Sequence, residues 1–169
     1  MKIPDYLDPL VGWRAWSNVN REGHLVPLVS VHQVWPKRIP AQAMCECCKQ
    51  FAKPSMHNQI GFYAFKKVID LLDETVVQNR FAHRYGSYVF GQVYMWGTLV
   101  ECGQRVAEIN NDTGYRNEVK GWRAEFAYPK RLMTENADLA AQLQDDYGVP
   151  CEVGRAIDIY NELLRRAQP

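Results

Sequence analysis

Between residues 86 and 132 the chain alternates large and small side chains with a period of two. Tyr88, Phe90, Gln92, Tyr94 and Trp96 interleave with Val89, Gly91, Val93, Met95 and Gly97. Further on, Trp122, Ala124, Phe126 and Tyr128 interleave with Arg123, Glu125 and Ala127. Successive side chains of a strand point to opposite faces, so the pattern predicts aromatic-rich strands, one with charges facing away from its aromatics. Gly91 and Gly97 within this run predict bulges or sharp bends, which curl a sheet toward a barrel. The polar stretch 103–120 between the two runs reads as an inserted hairpin, turning at Asn111-Asp112-Thr113-Gly114.

Elsewhere the pattern is coarser. Gly12 to Ser17 and Leu25 to Val31 read as two strands around a turn at Asn20 to Gly23, and Pro27 marks the second as an edge or broken strand. Residues 32 to 60 carry Pro36, Pro40 and Pro54 and show no regular period; irregular stretches of that length are usually functional or pinned. Gly61 to Ala64 suits a short strand. It leads into a helix from about Phe65 to Asn79, with Phe65, Val68, Ile69, Leu72 and Val76 at helical spacing. A second helix is expected from Asn136 to Tyr147, burying Leu139, Leu143 and Tyr147 and stopped by Gly148 and Pro150. A third is expected from about Arg155 to Ala167, with Arg165 and Arg166 favoured by the dipole at its C-terminus. The expected fold class is α+β: a curved, mostly antiparallel sheet or partial β-barrel with about three helices packed against it.

Composition narrows the function classes. A chain of 169 residues fits a single globular domain, 1–169, and buries enough surface to fold without disulfides. Basic and acidic residues number 20 and 19, a balance that disfavours non-specific binding to nucleic-acid phosphates. No window supplies the roughly 18 consecutive apolar residues of a membrane span. The N-terminal MKIPDYLDPL lacks the apolar core of a signal peptide, so a cytoplasmic location is expected. Five cysteines, three of them at 45, 47 and 48, suit reduced thiols better than a secreted disulfide framework.

Three segments, VYMWGTLVE (93–101), GWRAEFAYPKRL (121–132) and YGVP (147–150), together resemble a widespread uncharacterised family of small actinobacterial and phage proteins. Trp13-Arg14-Ala15-Trp16 and Gly61-Phe62-Tyr63-Ala64 are similar anchor points, so the resemblance spans most of the chain. It implies no activity. It does imply a metal site in the loop before the 61–64 strand, built from a Cys, a His and a Cys-x-Cys. Here the first Cys falls on Cys45, while the His position holds Phe51 and the other two hold Asn58 and Ile60.

Taken on their own, Cys45, Cys47, Cys48 and His57 are candidate ligands for zinc or iron, since thiolate and imidazole are the donors zinc prefers. Their Cys-x-Cys-Cys spacing differs from the usual Cys-x-x-Cys, and the plain alternative is small, partly buried apolar side chains in a loop. Glu101, Arg123 and Glu125 are candidates for acid–base work if they meet in a cleft; the commoner outcome is a cross-strand ion pair on a solvated face. Trp13, Tyr63, Trp96 and Trp122 are candidates for a stacking platform for a planar ligand, against the alternative that they fill the core. His24, His32 and His83 have no partner at ligand spacing, and no phosphate-binding loop, dinucleotide fingerprint or hydrolase signature is present. The leading reading is a non-catalytic cytoplasmic binding or adaptor protein, its partner a protein or a small planar, nucleotide-like ligand. The alternatives are a small enzyme or metal-dependent protein using the carboxylate or cysteine sets, and a nucleic-acid-binding barrel.

Overall fold

A computed structural model describes residues 9–19, 22–27, 35–45, 47, 48, 50–55, 60–71, 88–107, 115–155, 158 and 165. Its centre is a long hairpin. Strand β5 (Val89–Ala107) and strand β6 (Tyr115–Thr134) pair antiparallel from Val89↔Thr134 out to Ala107↔Tyr115. The stretch expected as an inserted hairpin is thus the distal part of these same two strands, and its turn lies outside the described residues. Strand β1 (Leu10–Val19) pairs with β5, and β2 (Leu25–Pro27) pairs with β1 as an edge strand, which suits the missing N–H of Pro27. Strand β4 (Phe62–Phe65) and the two-residue β3 (Ala41–Gln42) pair with β6 on its other side.

The pairings β1–β5–β6–β4 return to β1, but only through one residue pair, Trp13↔Phe65. The sheet is therefore joined to itself at a point rather than closed as a barrel, which corrects the partial-barrel expectation. The β5–β6 ladder shifts register three times, at Gln92/Val93, at Trp96/Leu99, where Gly97 takes φ +77°, and at Gln104/Val106; irregularities of this kind bend a strand. At Gly91, a Cβ would sit 2.1 Å from the Arg131 carbonyl oxygen, so only glycine allows the strands this close.

Helix α1 (Ala137–Tyr147) forms where its caps predict it. The Asn136 side chain accepts from the Leu139 N–H at 3.0 Å, and Gly148 at φ +63° donates its N–H to the Gln144 carbonyl at 2.9 Å. After it, β7 (Cys151–Val153) runs parallel to β6, making the sheet mixed. The class is α+β, and among the described residues α1 is the one helix longer than a single turn, against the three or so expected. Of the described residues outside α1, 68–71 are helical, within the helix expected from Phe65. Most of the C-terminal segment expected as the third helix lies outside the described residues, with Asp158 and Arg165 helical. No helix among the described residues is long and apolar enough to cross a membrane.

The core gathers Trp16, Leu25, Trp35, Phe62, Val93, Met95, Leu132, Leu143 and Tyr147. Trp16 and Trp35 meet edge-to-face with centroids 5.2 Å apart, and Trp35 meets Phe62 at 5.1 Å. Tyr147 ties helix to sheet: its hydroxyl accepts from the Leu25 N–H at 2.8 Å and donates to the Trp35 carbonyl at 2.7 Å. A smaller cluster of Ala15, Phe65, Leu71 and Phe90 forms separately.

Candidate metal centre

Beyond β3 the chain leaves the sheet as a small hairpin. The Ala43 N–H donates to the Glu125 carbonyl at 2.8 Å, and the Ala43 carbonyl accepts from the Ala52 N–H at 3.1 Å. Met44 then bridges Phe51, and the Cys45 N–H closes the tip on the Gln50 carbonyl at 2.8 Å. That closure folds Cys45, Cys47 and Cys48 onto one turn. Their three sulfurs lie within 4.8 Å of one another, with Cys45 Sγ and Cys47 Sγ 2.8 Å apart. A zinc ion with Zn–S bonds of about 2.3 Å requires sulfurs about 3.8 Å apart, a spacing reached by small side-chain rotations.

The thiols are accessible rather than packed away. Cys47 and Cys48 are exposed, so the plain alternative of partly buried apolar side chains fails for those two, while Cys45 is half-exposed as that alternative has it. The Cys45 thiol is pulled down to about 7, first by the hydrogen bond from the Cys47 thiol, then by the backbone N–H groups of Cys48 and Cys47. Cys47 is pushed up, chiefly by donating that hydrogen bond and by the charge on Cys45. At neutral pH the turn thus offers one sulfur with a substantial thiolate fraction, the form in which cysteine binds metals. His57, the fourth candidate ligand, lies outside the described residues.

Arg123 and Glu125 lie on β6, where the Glu125 carbonyl anchors the base of this hairpin. Both are buried, at 5% and 9% exposure, which corrects the expectation of a solvated face for the charges of β6. Arg123 donates to the Ser55 carbonyl at 2.8 Å and the Ile60 carbonyl at 3.3 Å, holding the chain as it returns from the hairpin. Glu125 Oε2 accepts from the Thr98 N–H at 3.2 Å and the Thr98 hydroxyl at 2.9 Å. The bulge after Trp96 makes this contact: a Cβ on Gly97 would press on Phe126 at 2.8 Å and on the Glu125 side chain at 3.1 Å.

Glu101 does not join them. It is exposed, sits opposite Trp122 in the ladder, and pairs with Lys66 Nζ at 2.5 Å. Lys66 also lies 4.2 Å from the centroid of the Trp122 ring. The aromatic candidates are likewise dispersed. Trp96 is buried and stacks on Phe126 at 5.9 Å, whereas Trp13 packs against the second cluster with the Arg131 guanidinium 5.4 Å from its ring centroid. Tyr63 has the Arg123 guanidinium at 5.5 Å from its ring centroid. A protein cation thus covers a face of Trp13, Tyr63 and Trp122.

Sequence reasoning did not single out Lys66, Thr98 or Met44, and named Phe51 only as the residue at the expected His position. Thr98 had a readable signal in the preceding Gly97; the others depend on tertiary neighbours. No protein-family model matches the sequence, and no curated protein or solved structure is significantly similar to it.

Proposed function

We propose that this is a non-catalytic, cytoplasmic binding protein whose working element is the 43–52 hairpin, and that its cysteine turn takes a zinc ion. The observation that carries the reading is the convergence of three accessible sulfurs within 4.8 Å on one surface turn. Thiolates select zinc over the hard cations, and three protein ligands leave a fourth position for another donor. The flanks of the turn suit contact with a protein: Met44 and Phe51, paired across the hairpin, are 38% and 68% exposed. A non-catalytic role is supported by the dispersal of the polar groups. Glu101 is engaged with Lys66, while Arg123 and Glu125 hold backbone and Thr98.

Titration of the reduced protein with cobalt(II), as a spectroscopic substitute for zinc, tests this. Thiolate-to-cobalt charge-transfer absorption saturating at one ion per chain is expected, reversed by zinc and absent from a Cys45→Ser/Cys47→Ser/Cys48→Ser protein. A featureless titration, or one unchanged in the triple variant, would remove the metal reading.

A further inference from the structure

We propose that Cys45 and Cys47 form a dithiol–disulfide couple that exchanges with low-molecular-weight disulfides of the glutathione type. The two sulfurs are 2.8 Å apart. Closing the bond at about 2.0 Å therefore needs roughly 0.8 Å of sulfur movement, within the reach of side-chain rotation on a surface turn. Neither the core nor the sheet has to yield, because the turn projects beyond the Met44–Phe51 bridge.

The two thiols have different parts. Cys45 lies at the closed tip of the hairpin with the Cys47 sulfur 2.8 Å away. Cys45 reacts as its thiolate, the attacking form. Its thiolate attacks one sulfur of the external disulfide RSSR, forming Cys45–S–S–R and expelling RS⁻, which takes up a proton. Cys47, adjacent to the mixed disulfide, gives up its proton to solvent. It attacks the Cys45 sulfur, forms the Cys45–Cys47 bond and expels the second RS⁻. In sum two protein thiols and RSSR give one protein disulfide and two RSH; the protein loses two electrons and the external disulfide gains them. One consequence rests on the zinc reading: the new bond withdraws two of the three ligands, so oxidation would discharge the ion.

The test is made on the full chain after chelation, so that its outcome does not depend on whether the turn binds zinc. The protein is incubated with oxidised glutathione near neutral pH, quenched with iodoacetamide, and read by intact mass and peptide mapping. A Cys45–Cys47 link is expected in the natural sequence and in Cys48→Ser. Cys47→Ser should accumulate glutathione on Cys45, and Cys45→Ser should form no link within the turn. Three unlinked, alkylated thiols in the turn, or a link joining a different pair of cysteines, would overturn the proposal.

Discussion

Arg123 grips two carbonyls of a segment more than sixty residues away in sequence, Ser55 and Ile60, from a position almost wholly shielded from water. Replacing it with methionine keeps much of the volume and leaves both acceptors without that donor. A loss of about 1–3 kcal/mol is expected in denaturant unfolding, because a buried polar group stripped of its partner keeps its desolvation cost. Thr98→Val, close to isosteric, removes one donor to Glu125 and should cost about 1–3 kcal/mol in the same assay, while Lys66→Met on the exposed cluster should change stability by under about 1 kcal/mol. Equal effects at Thr98 and Lys66 would mean that Glu125 is not the buried anchor described. The alternation of β6 was legible in its spacing, yet the sequence pointed its charges toward solvent. Polarity fails as a guide there because the acceptors that satisfy Arg123 come from a loop whose position only the folded chain defines.

Helix α1 is the element most completely written into the sequence. Asn136, the apolar positions Leu139, Leu143 and Tyr147, and Gly148 give its start, buried face and stop, all from local chemistry. Strand β7 carries no such signal. Three residues contain too little pattern, and their pairing is set by β6, to which the helix returns the chain. The cysteine hairpin was equally illegible, having no glycine or proline in its turn; its geometry is imposed by the ladder contacts at Ala43, Met44 and Cys45. Tyr147 makes the helix–sheet joint titratable. Burial first, with smaller opposing and reinforcing effects, pushes its hydroxyl up to about 12 from an ordinary 10. The unfolded chain therefore loses this proton first, and the stability it supplies is complete below about pH 10 and declines as the pH rises toward 12. Tyr147→Phe should be less stable at neutral pH, since Leu25 N–H and the Trp35 carbonyl lose their partner. It should also lose less on going to alkaline pH. Unfolding midpoints of the two proteins measured across that range check this; parallel declines would contradict it.

Across the molecule, the sheet is shaped by glycines and held by aromatic packing, and it carries one exposed cysteine turn on the hairpin that leaves β3. The aromatic content that dominates the sequence serves mainly that framework: Trp16, Trp35 and Trp96 are all buried. Trp96→Ala should accordingly cost about 3–5 kcal/mol, as truncation of a large core aromatic does, and an unchanged melting temperature would contradict its place in the core. The α+β class was readable because period-two and period-3.6 patterns are local. The point closure between β1 and β4 was not, because a single residue pair leaves no pattern. The central claim, that this framework presents a three-sulfur zinc site, is tested most directly by X-ray absorption at the zinc edge of reconstituted protein. Three sulfur neighbours at about 2.3 Å and one lighter donor are expected, with the sulfur shell lost in the Cys45→Ser/Cys47→Ser/Cys48→Ser protein. A shell of nitrogen and oxygen alone in the natural sequence would contradict the account.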